Sequence, residues 1–132
     1  MGTFANTETA REYFKNDLFA TNAGMQLDEL TEDTAVCSAA ITSALQNANG
    51  GVMGGAIFTL ADLALAAVAN NIHHPSVASQ VSINYLSAPK GTRMIAKAKA
   101  IKKGRTTTVI QVDVTDDTGR DVAMFVGTAF KL

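Results

Sequence analysis

The sequence predicts an α+β fold in which one antiparallel sheet wraps around a single long, apolar helix. The helix is indicated by residues 54–69, an apolar run in which Asp62 is the only formal charge between Asp33 and Lys90. The sheet is indicated by four strand-like stretches that follow this run without another helix, an order typical of antiparallel rather than parallel pairing. A helix so apolar must be covered on nearly all sides, which a wrapped sheet achieves.

An amphipathic helix is predicted near the start of the chain, over residues 7–19. Its apolar residues recur at helical spacing, while its charged residues face the other way. The apolar positions are Ala10, Tyr13, Phe14 and Leu18. Two short strands are predicted next, over residues 25–32 and 34–41, and the polar pair Glu32-Asp33 suits a hairpin between them. We expect the helix to lie on the sheet.

A polar loop rich in turn residues, 42–51, precedes the apolar run. The loop leads to Gly54 and Gly55 and so brings free backbone amides to the start of the helix. We expect the helix to end near Asn70 and Asn71. The four strands after it are predicted over residues 77–86, 93–101, 106–115 and 121–130. Apolar and polar residues alternate most clearly in the third of them, which indicates a strand with one buried face.

The composition limits the range of functions. The length of 132 residues suits one domain, predicted over 1–132, with a core of its own. Eleven basic and twelve acidic residues give a net charge of −1, which provides no general attraction for nucleic acid. The single cysteine, Cys37, allows no disulfide within the chain and indicates a buried thiol in a reducing compartment.

The predicted location is cytoplasmic. The first residues lack a basic segment followed by an apolar one, so no secretion signal is indicated. The apolar run is long enough for a membrane span, but Asp62 near its middle would cost about 2.5–3.5 kcal/mol on insertion. We therefore expect the core helix of a soluble protein and no membrane partner.

Asp62 is the main candidate for catalysis. In a helix its neighbours one turn away include Phe58, Leu65 and Ala66, so its carboxylate projects from an apolar face. Burying an ionised carboxylate without partners is costly, and such groups persist mainly where they are paired, capped or used. Two interpretations stay open from the residues: a catalytic carboxylate, or a structural one that reaches the helix rim or a backbone N–H.

Three segments of the chain share the pattern of a known family. They are residues 47–62, residues 82–91, and Gly104-Arg105 with the turn at residues 116–119. With them the sequence resembles the hotdog-fold acyl-CoA thioesterases of the phenylacetate-degradation type, over nearly its whole length. In that family an Asn precedes a His-Gly-Gly motif, and an acidic residue follows in the helix. Asn47, Met53-Gly54-Gly55 and Asp62 stand at the corresponding spacings.

The resemblance implies hydrolysis of an acyl-CoA thioester to a free acid and coenzyme A. It implies Asp62 as base or nucleophile, and the amides of Gly54 and Gly55 as donors to the developing oxyanion. Asn47 would hold the water or the thioester carbonyl. The resemblance also implies a homodimer, or a homotetramer built as a dimer of dimers, in which the carboxylate faces the glycines of another subunit. No metal or redox cofactor is needed.

Two positions depart from the family pattern. Met53 replaces the His before the two glycines, and a thioether offers almost no hydrogen bond. Ala78 stands where many members carry a Ser or Thr at the start of the strand after the helix, with Ser79 beside it. Met53, Ala78 and Ser79 are all substrate-binding candidates.

The other substrate-binding candidates are one aromatic and three basic residues. Phe58 is expected to help set the depth of the acyl pocket. Lys103 and Arg105 either meet the phosphates of coenzyme A or only form a solvated, charged hairpin, and the same two interpretations apply to Lys90.

Two other functions stay open. One is a non-catalytic acyl-CoA-binding or regulatory protein. The other is a hydratase or dehydratase on the same fold, a chemistry that in the family pairs an acid with a His, which Met53 replaces here. His73 and His74 do not suit a metal site, because adjacent side chains diverge in most backbones. The sequence identifies neither the acyl group nor the choice between coenzyme A and an acyl carrier protein.

Overall fold

The computed structural model describes residues 2–132 and confirms the predicted architecture, an antiparallel sheet wrapped around one long helix. The helices are α1 (Thr7–Phe14), α2 (Leu18–Asn22) and α3 (Gly54–Ile72), with a 3₁₀ turn at Ser43–Leu45. The strands are β1 (Met25–Leu30), β2 (Thr34–Ala40), β3 (Ser76–Tyr85), β4 (Arg93–Lys103), β5 (Thr107–Asp116) and β6 (Asp121–Lys131). They lie in the order β1-β2-β4-β5-β6-β3, so β1 and β3 form the two edges.

The N-terminal segment differs from its prediction. A single helix over residues 7–19 is wrong, because α1 and α2 meet there as separate helices. The amides of Asn16 and Asp17 donate back into the last turn of α1 at 3.1 and 3.0 Å, which closes a turn. Asn and Asp favour turns because their short polar side chains compete with helical hydrogen bonds. The break places Asp17 directly before α2.

The inner face of the sheet packs on α3 through small and branched residues. On the central strands these buried residues are Ala35, Cys37 and Ala39 of β2, Met94, Ala96 and Ala98 of β4, and Ile110, Val112 and Val114 of β5. Their small side chains allow the helix to approach the sheet closely. Burial raises the pKa of the Cys37 thiol far above its ordinary value, and the charge of Asp28 adds to the effect.

Gly127 marks the closest approach of β6 to α3. A Cβ atom at this position would overlap the side chain of Leu65 and would lie 3.2 Å from a methyl group of Val81. Leu65 is 2% exposed and sits inside the core, so it has little room to move. Only glycine lets α3 pack against the sheet at this depth.

The sheet leaves one stripe of α3 uncovered. Its residues follow helical spacing and are at least partly exposed: Gly55, Thr59, Asp62 and Ala66. Most of the remaining helix is buried. By length and composition α3 would suit a membrane span, but 61% of its most apolar stretch is buried inside the fold, as expected of a core helix.

We expect Gly127→Ala to lower the free energy of unfolding by about 1–3 kcal/mol, because the added methyl group overpacks a filled core. Urea denaturation of the variant and the parent protein measures the difference. Gly51→Ala is the control, since a Cβ there would lie 3.8 Å from Asn47, an ordinary contact. Equal stability of Gly127→Ala and the parent protein would show that the contact with Leu65 is not tight.

Candidate active site

Asp62 lies half-buried on the uncovered stripe, between two cavities. One cavity, of about 440 Å³, is bounded by the turn before α2, by α2 and by α3. The other, of about 300 Å³, is bounded by α1, α3 and the start of β3. Among residues 2–132 no hydrogen-bond donor and no cation contacts the Asp62 carboxylate. Within the chain, capping by a backbone N–H therefore does not account for this carboxylate.

Burial raises the pKa of Asp62 above its ordinary value, and the negative charge of Asp17 raises it further. Asp17 lines both cavities, and burial raises the pKa of its own carboxyl group. A carboxylate whose pKa is raised binds a proton more strongly than an exposed one. Asp62 therefore has the properties of a general base.

The start of α3 presents free amides. The amides of Ala56 and Ile57 donate to the Met53 carbonyl at 3.0 and 3.3 Å, so those of Gly54 and Gly55 have no acceptor within the helix. Apart from the neighbouring residues and the nearby backbone of α3, no heavy atom lies within 4 Å of the position that a Cβ of Gly55 would occupy, so this side of the helix start is open. The helix dipole adds positive potential at this end. Together these amides can stabilise a developing negative charge.

Asn47 shapes the loop that leads into α3. Its side-chain Oδ1 accepts hydrogen bonds from the amides of Asn49 and Gly51 at 2.9 and 3.0 Å. The backbone amide of Asn47 donates to the Gly51 carbonyl at 2.7 Å. Since the oxygen is engaged in the loop, the side-chain Nδ2 is the group left to contact a ligand, as a donor. The predicted role of Asn47 toward water or a carbonyl stays a prediction.

Tyr85 fixes the start of α3 to the end of the edge strand β3. Its hydroxyl donates to the Gly54 carbonyl at 3.1 Å. With Met53, Phe58 and Phe19 it lines an apolar cavity of about 620 Å³ beside Gly55. Met53, the residue directly before α3, is 56% exposed. Two of the predicted ligand contacts, Met53 and Phe58, thus lie together next to the free amides.

The helix separates the amides from the carboxylate. Gly55 and Asp62 are seven positions apart, which corresponds to about 10 Å along the axis at a rise of 1.5 Å per residue. A single reacting carbonyl must lie about 3 Å from both groups. One chain therefore contains both halves of the site without bringing them together.

The two candidates on β3, Ala78 and Ser79, have different surroundings. Ala78 lines the smaller cavity together with Asp62. Ser79 lies next to it, at a register shift between β3 and β6, and its hydroxyl donates to the Thr128 carbonyl at 3.1 Å. Ala78 therefore shares space with the candidate base, whereas the Ser79 hydroxyl is engaged by the sheet.

The three basic candidates lie at opposite ends of α3. Lys90 follows Tyr85, whose hydroxyl contacts the helix start, by five positions, and its amide and that of Gly91 donate to the buried Asp116 carboxylate. Lys103 and Arg105 lie near the helix end, where the His73 ring bonds to the Gly104 carbonyl at 2.8 Å. Because α3 has 19 residues, about 28 Å separate its two ends. Within one chain Lys90 and the Lys103–Arg105 pair cannot contact the same phosphate.

Sequence reasoning missed the contribution of Asp17 and the contact that Tyr85 makes. Asp17 falls within the predicted continuous helix, although the adjacent pair Asn16-Asp17 is a turn signal. The bond from Tyr85 to Gly54 joins residues 31 positions apart, and no local pattern indicates it.

Comparisons with known proteins agree on one family. The sequence profile of the thioesterase superfamily matches residues 49–123. The acyl-coenzyme A thioesterase PaaI of Escherichia coli is 27% identical over 126 residues, covering 95% of this chain and 90% of the relative. The solved structure of the E. coli PaaI protein, from the phenylacetic acid degradation operon, has a TM-score of 0.88 at 26% identity and covers 95% of this chain and 91% of that one. A hypothetical thioesterase protein solved with coenzyme A, from Streptococcus pneumoniae TIGR4, has a TM-score of 0.81 at 30% identity, covering 89% and 94%.

We expect Asp62→Asn to melt at or above the temperature of the parent protein at pH 7. A raised pKa in the folded state means that the ionised carboxylate opposes folding, and this cost vanishes below the ordinary pKa of 3.8, where the group is protonated in both states. The gap between the two melting temperatures should therefore close as the pH falls toward that value. Exposed Asp113 provides the control, Asp113→Asn. A variant that melts well below the parent protein at pH 7 would contradict this account.

Proposed function

Because this chain belongs to the thioesterase superfamily, we propose that it hydrolyses acyl-coenzyme A thioesters to a free acid and coenzyme A. The family resemblance drawn from the sequence is confirmed by the profile match and by the likeness to the PaaI structure. The observation that carries the proposal is Asp62, a half-buried carboxylate without a partner among residues 2–132, on the open stripe of a helix whose first amides are free.

The free amides at the start of α3 can stabilise the negative charge that develops during the reaction. As the thioester carbonyl is attacked, its oxygen becomes an oxyanion, which the Gly54 and Gly55 amides stabilise. Asp62 either removes a proton from the attacking water or attacks the carbonyl itself. With water as nucleophile, a C–O bond forms and the C–S bond breaks. The proton taken by Asp62 then passes to the coenzyme A sulfur, which restores the carboxylate.

Each active site combines two chains. The 10 Å between Gly55 and Asp62 along α3 supports a site in which the helix start of one protomer lies against the Asp62 of its partner. The edge strand β3 supports this arrangement, because most of its residues are exposed and one side of its backbone has no strand beside it. Pairing along β3 gives a homodimer, and two such dimers give a homotetramer.

The apolar cavity beside Gly55 receives the acyl group. Met53 and Phe58 form part of its wall, and Tyr85, the last residue of β3, forms another part. Met53 contributes packing rather than hydrogen bonding, so oxyanion stabilisation rests on backbone amides. The hydratase alternative would need an imidazole near Asp62. The ring nitrogens of His73 and His74 instead bond to Gly104 and Asn70, near the far end of the helix.

We expect Asp62→Asn to reduce thiol release by about 10²–10⁴-fold while binding of coenzyme A persists, since the base is lost and the pocket is kept. Thiol release from a panel of acyl-CoA esters, with calorimetry for binding, measures both effects. Met53→Ala serves as the comparison and should change acyl preference more than kcat. A parent protein that binds the esters without releasing thiol would instead be a non-catalytic acyl-CoA-binding protein.

We expect a shared site to show complementation between two inactive variants. Gly55→Pro removes one donor at the second position of α3, where the lost N–H makes no hydrogen bond within the helix. Mixed with Asp62→Asn chains, it forms heterodimers with one intact site out of two, which restores about a quarter of parental activity at equal mixing. No recovery on mixing, or an active 13.8 kDa monomer in sedimentation at low concentration, would refute the two-chain site.

A further inference from the structure

Asp17 is the second carboxylate of the cavities around Asp62. It lies in the turn between α1 and α2 and lines both the larger and the smaller cavity. Residues 13–20 thereby form the wall that faces the uncovered stripe of α3. The two carboxyl groups come from segments 45 positions apart in the chain, so their common location is a product of the fold.

The side chain of Asp17 does not cap α2, which is the usual structural role of an aspartate at this position. Asp17 occupies the N-cap position of α2, where a carboxylate commonly accepts a hydrogen bond from the first turn, but its side chain makes no such bond. Toward α2 Asp17 contributes its backbone carbonyl, which accepts from the amide of Thr21 at 2.9 Å. Within residues 2–132 the Asp17 carboxylate has no hydrogen-bond donor and no ion-pair partner. The side chain is therefore not retained for capping.

No cation neutralises the pair from the surrounding elements. Apart from the two aspartates, the titratable residue that lines the cavities is Tyr13, on α1; α2, α3 and the start of β3 contribute no other. The basic residues of this region are engaged elsewhere. Lys15 bonds to Glu12 at 2.8 Å, and Arg11 bonds to Glu8 and to two carbonyls of β1.

The charge of Asp17 affects the ionisation of Asp62. Burial raises the pKa of Asp17, and for Asp62 the charge of Asp17 adds to a larger effect of burial. A negative charge on Asp17 therefore disfavours the ionised form of Asp62 and makes it hold a proton more strongly.

Building on the proposed hydrolysis, we propose that Asp17 is a positioning residue of the active site that acts through Asp62 across the cavities they share. Its charge makes Asp62 a stronger base toward the attacking water. As the C–O bond forms, Asp62 takes the proton, and after the C–S bond breaks it passes that proton to the leaving sulfur. Asp17 exchanges no proton with the substrate in this sequence.

The pH profile of kcat/KM tests this role. In Asp17→Asn the acid limb should move to lower pH, because Asp62 loses its proton more readily, and the plateau at higher pH should fall, because the base is weaker. Asp17→Glu keeps the charge and should retain a profile close to that of the parent protein. Asp113→Asn, which removes an exposed charge from β5, outside both cavities, should leave the acid limb in place. An unchanged limb in Asp17→Asn, or an equal shift in Asp113→Asn, overturns the proposal.

A titration without substrate separates this inference from the function. The side-chain carboxyl carbon of Asp62, followed by ¹³C NMR in the parent protein and in Asp17→Asn, should titrate at lower pH in the variant. Equal midpoints overturn the role of Asp17 whether or not thiol is released. Absence of thiol release together with a shifted midpoint would overturn the hydrolysis and leave the coupling between the two carboxyl groups established.

Discussion

The burial of α3 within the sheet is the constraint on which the rest of the structure depends. The inner face meets the helix with alanines, short branched residues and one glycine, so helix and sheet pack at close range. A helix covered in this way must be apolar on all its buried sides. The stripe through Gly55, Thr59, Asp62 and Ala66 is the part that remains uncovered, and the single charge of the helix lies there.

The same packing explains why the chemistry is divided. The rigid helix that presents free amides at its start carries the carboxylate two turns further along, and neither group can move toward the other. The loop held by Asn47 and the bond from Tyr85 fix the helix start from both sides. A site assembled from such fixed parts requires little rearrangement during the reaction, which favours electrostatic stabilisation of the transition state.

The sequence was sufficient for the order and type of nearly all elements, because each is marked by local periodicity or by an apolar run. It also singled out Asp62, since an isolated charge in such a run is a local feature. It failed at the turn after α1, where Asn16 and Asp17 outweigh the helical pattern of their neighbours. Local pattern also could not show that Asp17 faces Asp62, or that Lys90 lies far from Lys103, because these relations arise only when the sheet closes around the helix.

The buried thiol of Cys37 has a practical consequence. With its side chain fully enclosed beneath α3 and its pKa raised, this cysteine is protonated and inaccessible in the folded protein. Thiol-specific dyes added to detect coenzyme A will therefore find no reactive sulfur on the native chain. When the sheet separates from the helix, the same sulfur becomes available for labelling. The rate of its modification then reports how often the core opens, so one native cysteine serves as a built-in probe of conformational fluctuation.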